Sequence, residues 1–107
     1  KLLKSQLTEQ LSQAALETLA CIAYREPISK IAIDELRGVN SIFSLRNLSI
    51  RGLIDKTQPP KNGNQKLTYY KTTLDFLKKI GIEKVGDLPH YDELSKAQQN
   101  DEQPLND

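Results

Sequence analysis

A chain of 107 residues with one cysteine, one histidine and neither tryptophan nor methionine has room for one domain with a modest core. Its apolar residues, 37 % of the total, form no run near the ~20 residues that a membrane-spanning helix needs. A single Cys and a single His rule out an internal disulfide and argue against a metal site, and no cofactor is expected. The net charge of +1 conceals an asymmetry: residues 1–82 hold 13 Lys and Arg against 7 Asp and Glu, whereas residues 83–107 hold 2 against 7. A basic body with an acidic tail keeps nucleic acid open as a partner, beside the plainer reading of a solvated surface and a solubilising tail. The lone Cys21 fits a reducing, cytoplasmic setting. No stretch reads as a signal peptide, and a start at Lys1 is what a piece of a longer protein would show.

In chain order, Leu2, Leu3, Leu7 and Leu11 recur at near-helical spacing, so residues 1–11 read as a lead-in helix or linker. Ser12 is placed to cap a first helix, in which Leu16, Leu19, Ile22 and Ala23 form an apolar stripe. Pro27 stops it, because the residue before a proline is pushed out of the helical region. Ser29 then caps a second helix, with Ile28 and Ile33 as a hydrophobic staple, Leu36 facing inward and Gly38 at the end. Asn40 or Ser41 caps a third helix that runs to about Arg51 and ends at Gly52. Two short helices joined by so brief a turn make a helix-turn-helix candidate.

Leu53 and Ile54 begin a strand. A polar stretch with Pro59, Pro60 and Asn62-Gly63 has turn chemistry, and Leu67 to Thr72 is strand-prone. That hairpin is a wing. Thr72 and Asp75 fit a capping box for a fourth helix through Phe76, Leu77 and Ile80 to Gly81. Residues 91–107 read as an acidic, disordered tail, since they offer little to bury. The predicted fold is α+β, mainly α: a winged helix-turn-helix over 12–90, with a three-helix core, a hairpin wing and a short fourth helix.

Several runs, taken in order, carry a resemblance. They are Leu16-Glu17-Thr18-Leu19-Ala20 to Ala23-Tyr24, Glu26-Pro27-Ile28-Ser29, Arg37-Gly38-Val39-Asn40-Ser41, Leu45-Arg46-Asn47-Leu48 and Arg51-Gly52-Leu53-Ile54. Tyr70-Lys71-Thr72-Thr73, Phe76-Leu77, Gly81-Ile82 and Asp87-Leu88-Pro89 follow. Over about residues 12–89 this set resembles the C-terminal winged helix of the segregation and condensation protein B family. The resemblance implies a non-catalytic accessory subunit of the bacterial SMC condensin complex, in chromosome condensation, segregation and the cell cycle, at the nucleoid. It implies the kleisin, segregation and condensation protein A, as partner, and SMC through it. It places homodimerisation in a first winged helix for which this chain has no room. Two departures stand out. The family's wing commonly ends in a Gly-Arg-Pro-like stretch, where this chain has Lys61-Asn62-Gly63-Asn64-Gln65-Lys66. Its third helix has small or charged residues where this chain has Ile42, Phe43 and Ile50.

With Leu45 taken as inward and ~100° per residue, Leu48, Ser49 and Gly52 fall on the core side of the third helix. Phe43, Asn47 and Ile50 fall opposite, flanked by Arg46 and Arg51. A DNA-reading helix presents polar side chains there. An apolar pair rimmed by Arg and Asn suits a protein partner better, unless residues 1–11 or the tail cover it. The candidate partner-binding residues are therefore Phe43, Arg46, Asn47, Ile50 and Arg51. Lys56, Lys61, Lys66 and Lys71, on or beside the wing, are candidates for weak phosphate contact, the alternative being a solvated hairpin. No spacing supports a catalytic set, so an enzyme is not expected. The rival reading is a DNA-binding winged-helix transcription regulator. No membrane partner is expected.

Overall fold

A computed structural model describes residues 10–95 of the chain. The first helix, α1 (Gln13–Arg25), begins as its sequence requires: Ser12 is extended and its Oγ accepts from the Ala15 amide at 3.1 Å, pairing one of the amides that a helix start leaves free. Its buried face consists of Ala15, Thr18, Leu19, Ile22 and Ala23. Glu26 leaves the helical region ahead of Pro27, through a cis peptide bond. Next come β1 (Ile28–Ser29), α2 (Lys30–Arg37) and α3 (Ile42–Ile50), then the hairpin β2 (Ile54–Thr57) and β3 (Tyr69–Thr72), and finally α4 (Leu74–Ile80). Leu45 and Leu48 of α3 and Leu19 and Ile22 of α1 are all at most 1 % exposed, and α1 packs on both α2 and α3. This is the expected winged-helix arrangement, mainly helical with a small antiparallel sheet.

The sheet holds one strand that the sequence does not announce. Its order is β1-β3-β2, all antiparallel, with Ile28 opposite Tyr70 and Lys56 opposite Tyr70 from the other side. Ile28 and Ser29 are a strand only because β3 comes alongside; two residues have no period to read. Ser29 serves twice, as a strand residue and as the cap of α2, its Oγ accepting from the Ala32 amide at 3.1 Å. A half-buried clip ties the same corner together: Glu26 Oε1 accepts from both the amide and the hydroxyl of Thr72, at 2.8 and 2.5 Å.

Other expectations need correction. Thr72 does not cap α4. It is the last residue of β3, and Thr73 caps instead, its Oγ1 accepting from Phe76 N–H at 3.1 Å while donating to the Gly52 carbonyl at 2.7 Å. The second wing strand begins at Tyr69 rather than Leu67. The residues before it are folded into a closed tip, in which Gly63 N–H donates to Pro60 O at 2.9 Å and Asn64 N–H to the Tyr69 hydroxyl at 3.1 Å. Gly63 is required there by crowding, since a Cβ would lie 2.7 Å from the Tyr69 hydroxyl and 2.8 Å from the Pro60 ring. Gly52 is required by its backbone, with φ +74 at the turn from α3 into β2.

The chain's two ends also differ from expectation. Leu11 is buried at 6 %, so the body takes in the end of the predicted lead-in. Residues 91–95 are helical and not part of a free tail: Tyr91 stacks on Tyr24 with ring centroids 5.9 Å apart, and the Tyr24 hydroxyl donates to the Pro89 carbonyl at 2.8 Å. The remainder of the lead-in and tail expectations, residues 1–9 and 96–107, lies outside the described residues.

Because Leu45 is 1 % exposed between α1 and the sheet, Leu45→Ala is expected to lower unfolding free energy by about 2–5 kcal/mol, the range for truncating a buried leucine. A denaturant melt measures this. A loss below ~0.5 kcal/mol would mean that α3 is rotated from the orientation described.

A candidate partner-binding face on the third helix

The position of α3 is set at its start by two side chains from before it. Asp34, on α2, accepts the Ser41 amide on Oδ1 at 2.9 Å and the Lys30 ammonium on Oδ2 at 2.6 Å. Asn40 Oδ1 accepts the Ile42 amide at 3.0 Å and a second bond from Lys30 at 3.2 Å. Of the two caps the sequence offers, Asn40 is therefore the one used. Ser41 stands at the cap position, but its hydroxyl makes no capping bond. It is buried, with no hydrogen-bond partner among the described residues. Partial burial opposes ionisation of Asp34, but the bonds from Lys30 and from the Ser41 amide outweigh it and hold the carboxyl below its ordinary value.

Rotation about the α3 axis is fixed by Ser41, Leu45 and Leu48, all buried. The centre of this stripe leans towards Leu48, so Ser49, read as inward from the sequence, is in fact exposed. Phe43 and Ile50 point directly away from the core and are 76 % and 79 % exposed. Arg46 lies over the Phe43 ring, its guanidinium carbon 6.0 Å from the centroid, a distance at which ring and cation attract. Asn47 is partly buried and accepts from Arg51 Nε at 3.1 Å. The structure thus brings all five candidate residues, Phe43, Arg46, Asn47, Ile50 and Arg51, onto one outer surface, with Phe43 and Ile50 between two guanidinium groups.

Beside this strip runs a groove of about 300 Å³, lined by Ile42, Leu45, Arg46, Ser49, Lys56 and Tyr70. Sequence reading missed Ser49 and Ile42 as parts of it. Their signal was the flank of the core stripe, legible only once the stripe's true centre is known.

The four lysines are not brought together. Cross-strand partners share a face, so Lys56, opposite Tyr70, lies on the α3 side of the hairpin; Lys71, opposite Asp55, lies on the other side and next to a compensating carboxylate. Lys61 and Lys66 are exposed at the wing tip. Elsewhere, burial pushes the Cys21 thiol up, which keeps it protonated near neutral pH. His90 is exposed, 3.3 Å from Glu93. Among the described residues no three His, Cys, Asp or Glu side chains are grouped to hold a metal ion, and no helix is long and apolar enough to cross a membrane.

Residues 1–91 match the family model of the segregation and condensation complex subunit ScpB. Similar curated proteins include segregation and condensation protein B of Clostridium tetani, 38 % identical over 102 residues, which are 95 % of this chain and 53 % of that protein. The protein of the same name from Lactobacillus delbrueckii subsp. bulgaricus is 48 % identical over 83 residues, 78 % of this chain and 41 % of that one. The chain spans about half the length of these relatives. Among solved structures, ScpB from Mycobacterium tuberculosis superposes with a TM-score of 0.62 at 37 % identity, over 69 % of this chain and 45 % of that chain. The transcriptional repressor CouR, bound to a 23-mer DNA duplex, gives 0.59 at 18 % identity, over 96 % of this chain and 75 % of that chain; at that identity the likeness concerns the fold alone.

Two substitutions at the start of α3 should act in opposite senses. Asp34→Ala removes an ionised cap and is expected to cost about 1–2 kcal/mol at neutral pH. Because the folded carboxyl sits below its ordinary value of 3.8, its contribution is present above that pH and lost as pH falls through the lower, folded value. Melts of the two proteins should therefore converge on acidification, and a gap that widens in acid would contradict this. Ser41→Ala removes a buried hydroxyl that has no partner among the described residues and should leave stability unchanged or raise it by up to ~1 kcal/mol.

Proposed function

This chain belongs to the ScpB family of segregation and condensation complex subunits, and we propose that it is a non-catalytic module of the SMC–kleisin complex that binds the kleisin through the outer face of α3. One observation carries the proposal: Phe43 and Ile50 stand 76 % and 79 % exposed on one strip. Leaving a large aromatic and a branched aliphatic side chain in water together forgoes burial free energy of order 25 cal/mol per Å² of apolar surface. An exposed apolar pair on one helix face, rimmed by polar groups, is a form that protein-binding surfaces take. Arg46, over the Phe43 ring, and Arg51, bonded to Asn47, supply that rim. Work in the cytoplasm at the nucleoid follows from membership of such a complex.

The second reading, direct duplex binding, is favoured by Arg46 and Lys56 lining one groove beside α3. Against it, Phe43 and Ile50 occupy the positions from which a reading helix meets base edges, and the lysines divide between the two faces of the wing. Phosphate contacts would give duplex affinity a steep dependence on salt. A shallow slope or no binding sets this reading aside.

Phe43→Ala is expected to weaken binding to the kleisin of the same organism by about 1–3 kcal/mol, the scale of an interface anchor, with a denaturant melt nearly unchanged. Adding Ile50→Ala should weaken it further, not necessarily additively. Calorimetric titration beside the melts separates the cases. Unchanged affinity removes this face from the interface, and matched losses of affinity and stability assign Phe43 to the core.

A further inference from the structure

From Leu36 to Ile54 the chain has no carboxylate, while Arg37, Arg46 and Arg51 fall within that stretch. The outer face of α3 therefore carries Phe43 and Ile50 with Arg46 and Arg51 beside them, Lys56 adds a third cation across the groove, and none of the three cations is in an ion pair among the described residues. The same chain contains the complementary pattern. Its last seven residues read Asp101-Glu102-Gln103-Pro104-Leu105-Asn106-Asp107: one aliphatic residue between carboxylates, with no cation among them. Leu105 lies ten residues beyond Ser95, the last described position. At ~3.3–3.6 Å per residue that is a contour length of about 35 Å, from a start beside Pro27, Ser29 and Tyr69. A tether that spans to its site gives an effective concentration in the millimolar range, which favours a contact whose own dissociation constant lies below that range. Carboxylates brought within a Debye length of exposed guanidinium groups, roughly 8–10 Å, add attraction that salt removes.

We propose that residues 101–107 dock on the outer face of α3, with Leu105 against the Phe43–Ile50 strip and the flanking carboxylates against Arg46 and Arg51, and thereby compete with the protein partner for that face. The competition rests on the reading given under Proposed function; the docking does not. Its physical content is a self-made cover for an apolar strip that would otherwise stand in water, released when a partner with better contacts arrives.

The test uses the full chain and a full-length variant with Asp101→Asn, Glu102→Gln, Leu105→Ser and Asp107→Asn. Amide resonances are compared by nuclear magnetic resonance. Docking requires differences concentrated at Phe43, Arg46, Asn47, Ile50 and Arg51. These should shrink as salt is raised from about 0.05 to about 0.5 M and stay constant on dilution. Spectra that coincide over α3 overturn the proposal, as do differences confined to another face. Differences that fade on dilution also overturn it, because they assign the cover to a second copy. Partner affinity is read separately. The variant should bind the kleisin about two- to tenfold tighter, as removal of a competing occupied state requires. If the spectra show docking but neither the tail variant nor Phe43→Ala alters kleisin affinity, the cover stands, while both the competition and the proposed partner face fall.

Discussion

Burial of Leu45 and Leu48 beneath α1 decides most of what this molecule presents to its surroundings. A helix of nine residues has two and a half turns, so one buried stripe leaves no freedom over which residues point outward. Once those two leucines and Ser41 face inward, Phe43 and Ile50 face outward, Arg46 and Asn47 flank them, and Ile42 and Ser49 border the groove against the hairpin. The outer surface is thus a consequence of the core. A change in the core stripe, by size or by register, would rewrite the outer face without touching any residue on it.

Polar clips hold this arrangement where the apolar core is thin. Asp34 joins α2 to the first turn of α3, Glu26 joins the end of α1 to β3, and Thr73 joins α4 to the turn after α3. Arg37, only 10 % exposed, reaches from α2 to Thr18 and Glu17 on α1. Each clip spans a junction between elements and satisfies a backbone or side-chain group that would otherwise be desolvated alone. Together they suit a small domain with a modest core, since they fix relative positions at points where few side chains interdigitate.

Much of this was legible in the sequence because it depends on local period and punctuation. The stripe of α1, the stop at Pro27, the cap at Ser29, the turn at Gly52 and the outward direction of Phe43 and Ile50 all follow from spacing within one element. What was illegible depends on contacts between distant residues. β1 has no pattern of its own and exists through β3. Thr72 and Thr73 are adjacent and chemically alike, and only the register of the sheet decides which one is a strand residue and which a cap. The lysines of the wing looked like one basic cluster in sequence. Strand pleating sends Lys56 and Lys71 to opposite faces, which a list of charges does not record. Tyr91 looked like part of a polar tail because its partner, Tyr24, lies far away along the chain.

The closed tip of the wing has a thermodynamic consequence. Hairpin loops of this length usually sample many conformations in the free protein and surrender that freedom when something binds. Here the Tyr69 hydroxyl, the Pro60 carbonyl and the tight seat of Gly63 restrain the tip. A ligand that meets Lys61 or Lys66 therefore finds a backbone beneath them that is tied by hydrogen bonds, and chiefly the lysine side chains remain to be ordered. Contact at the wing should accordingly carry a smaller entropic penalty than its loop length suggests.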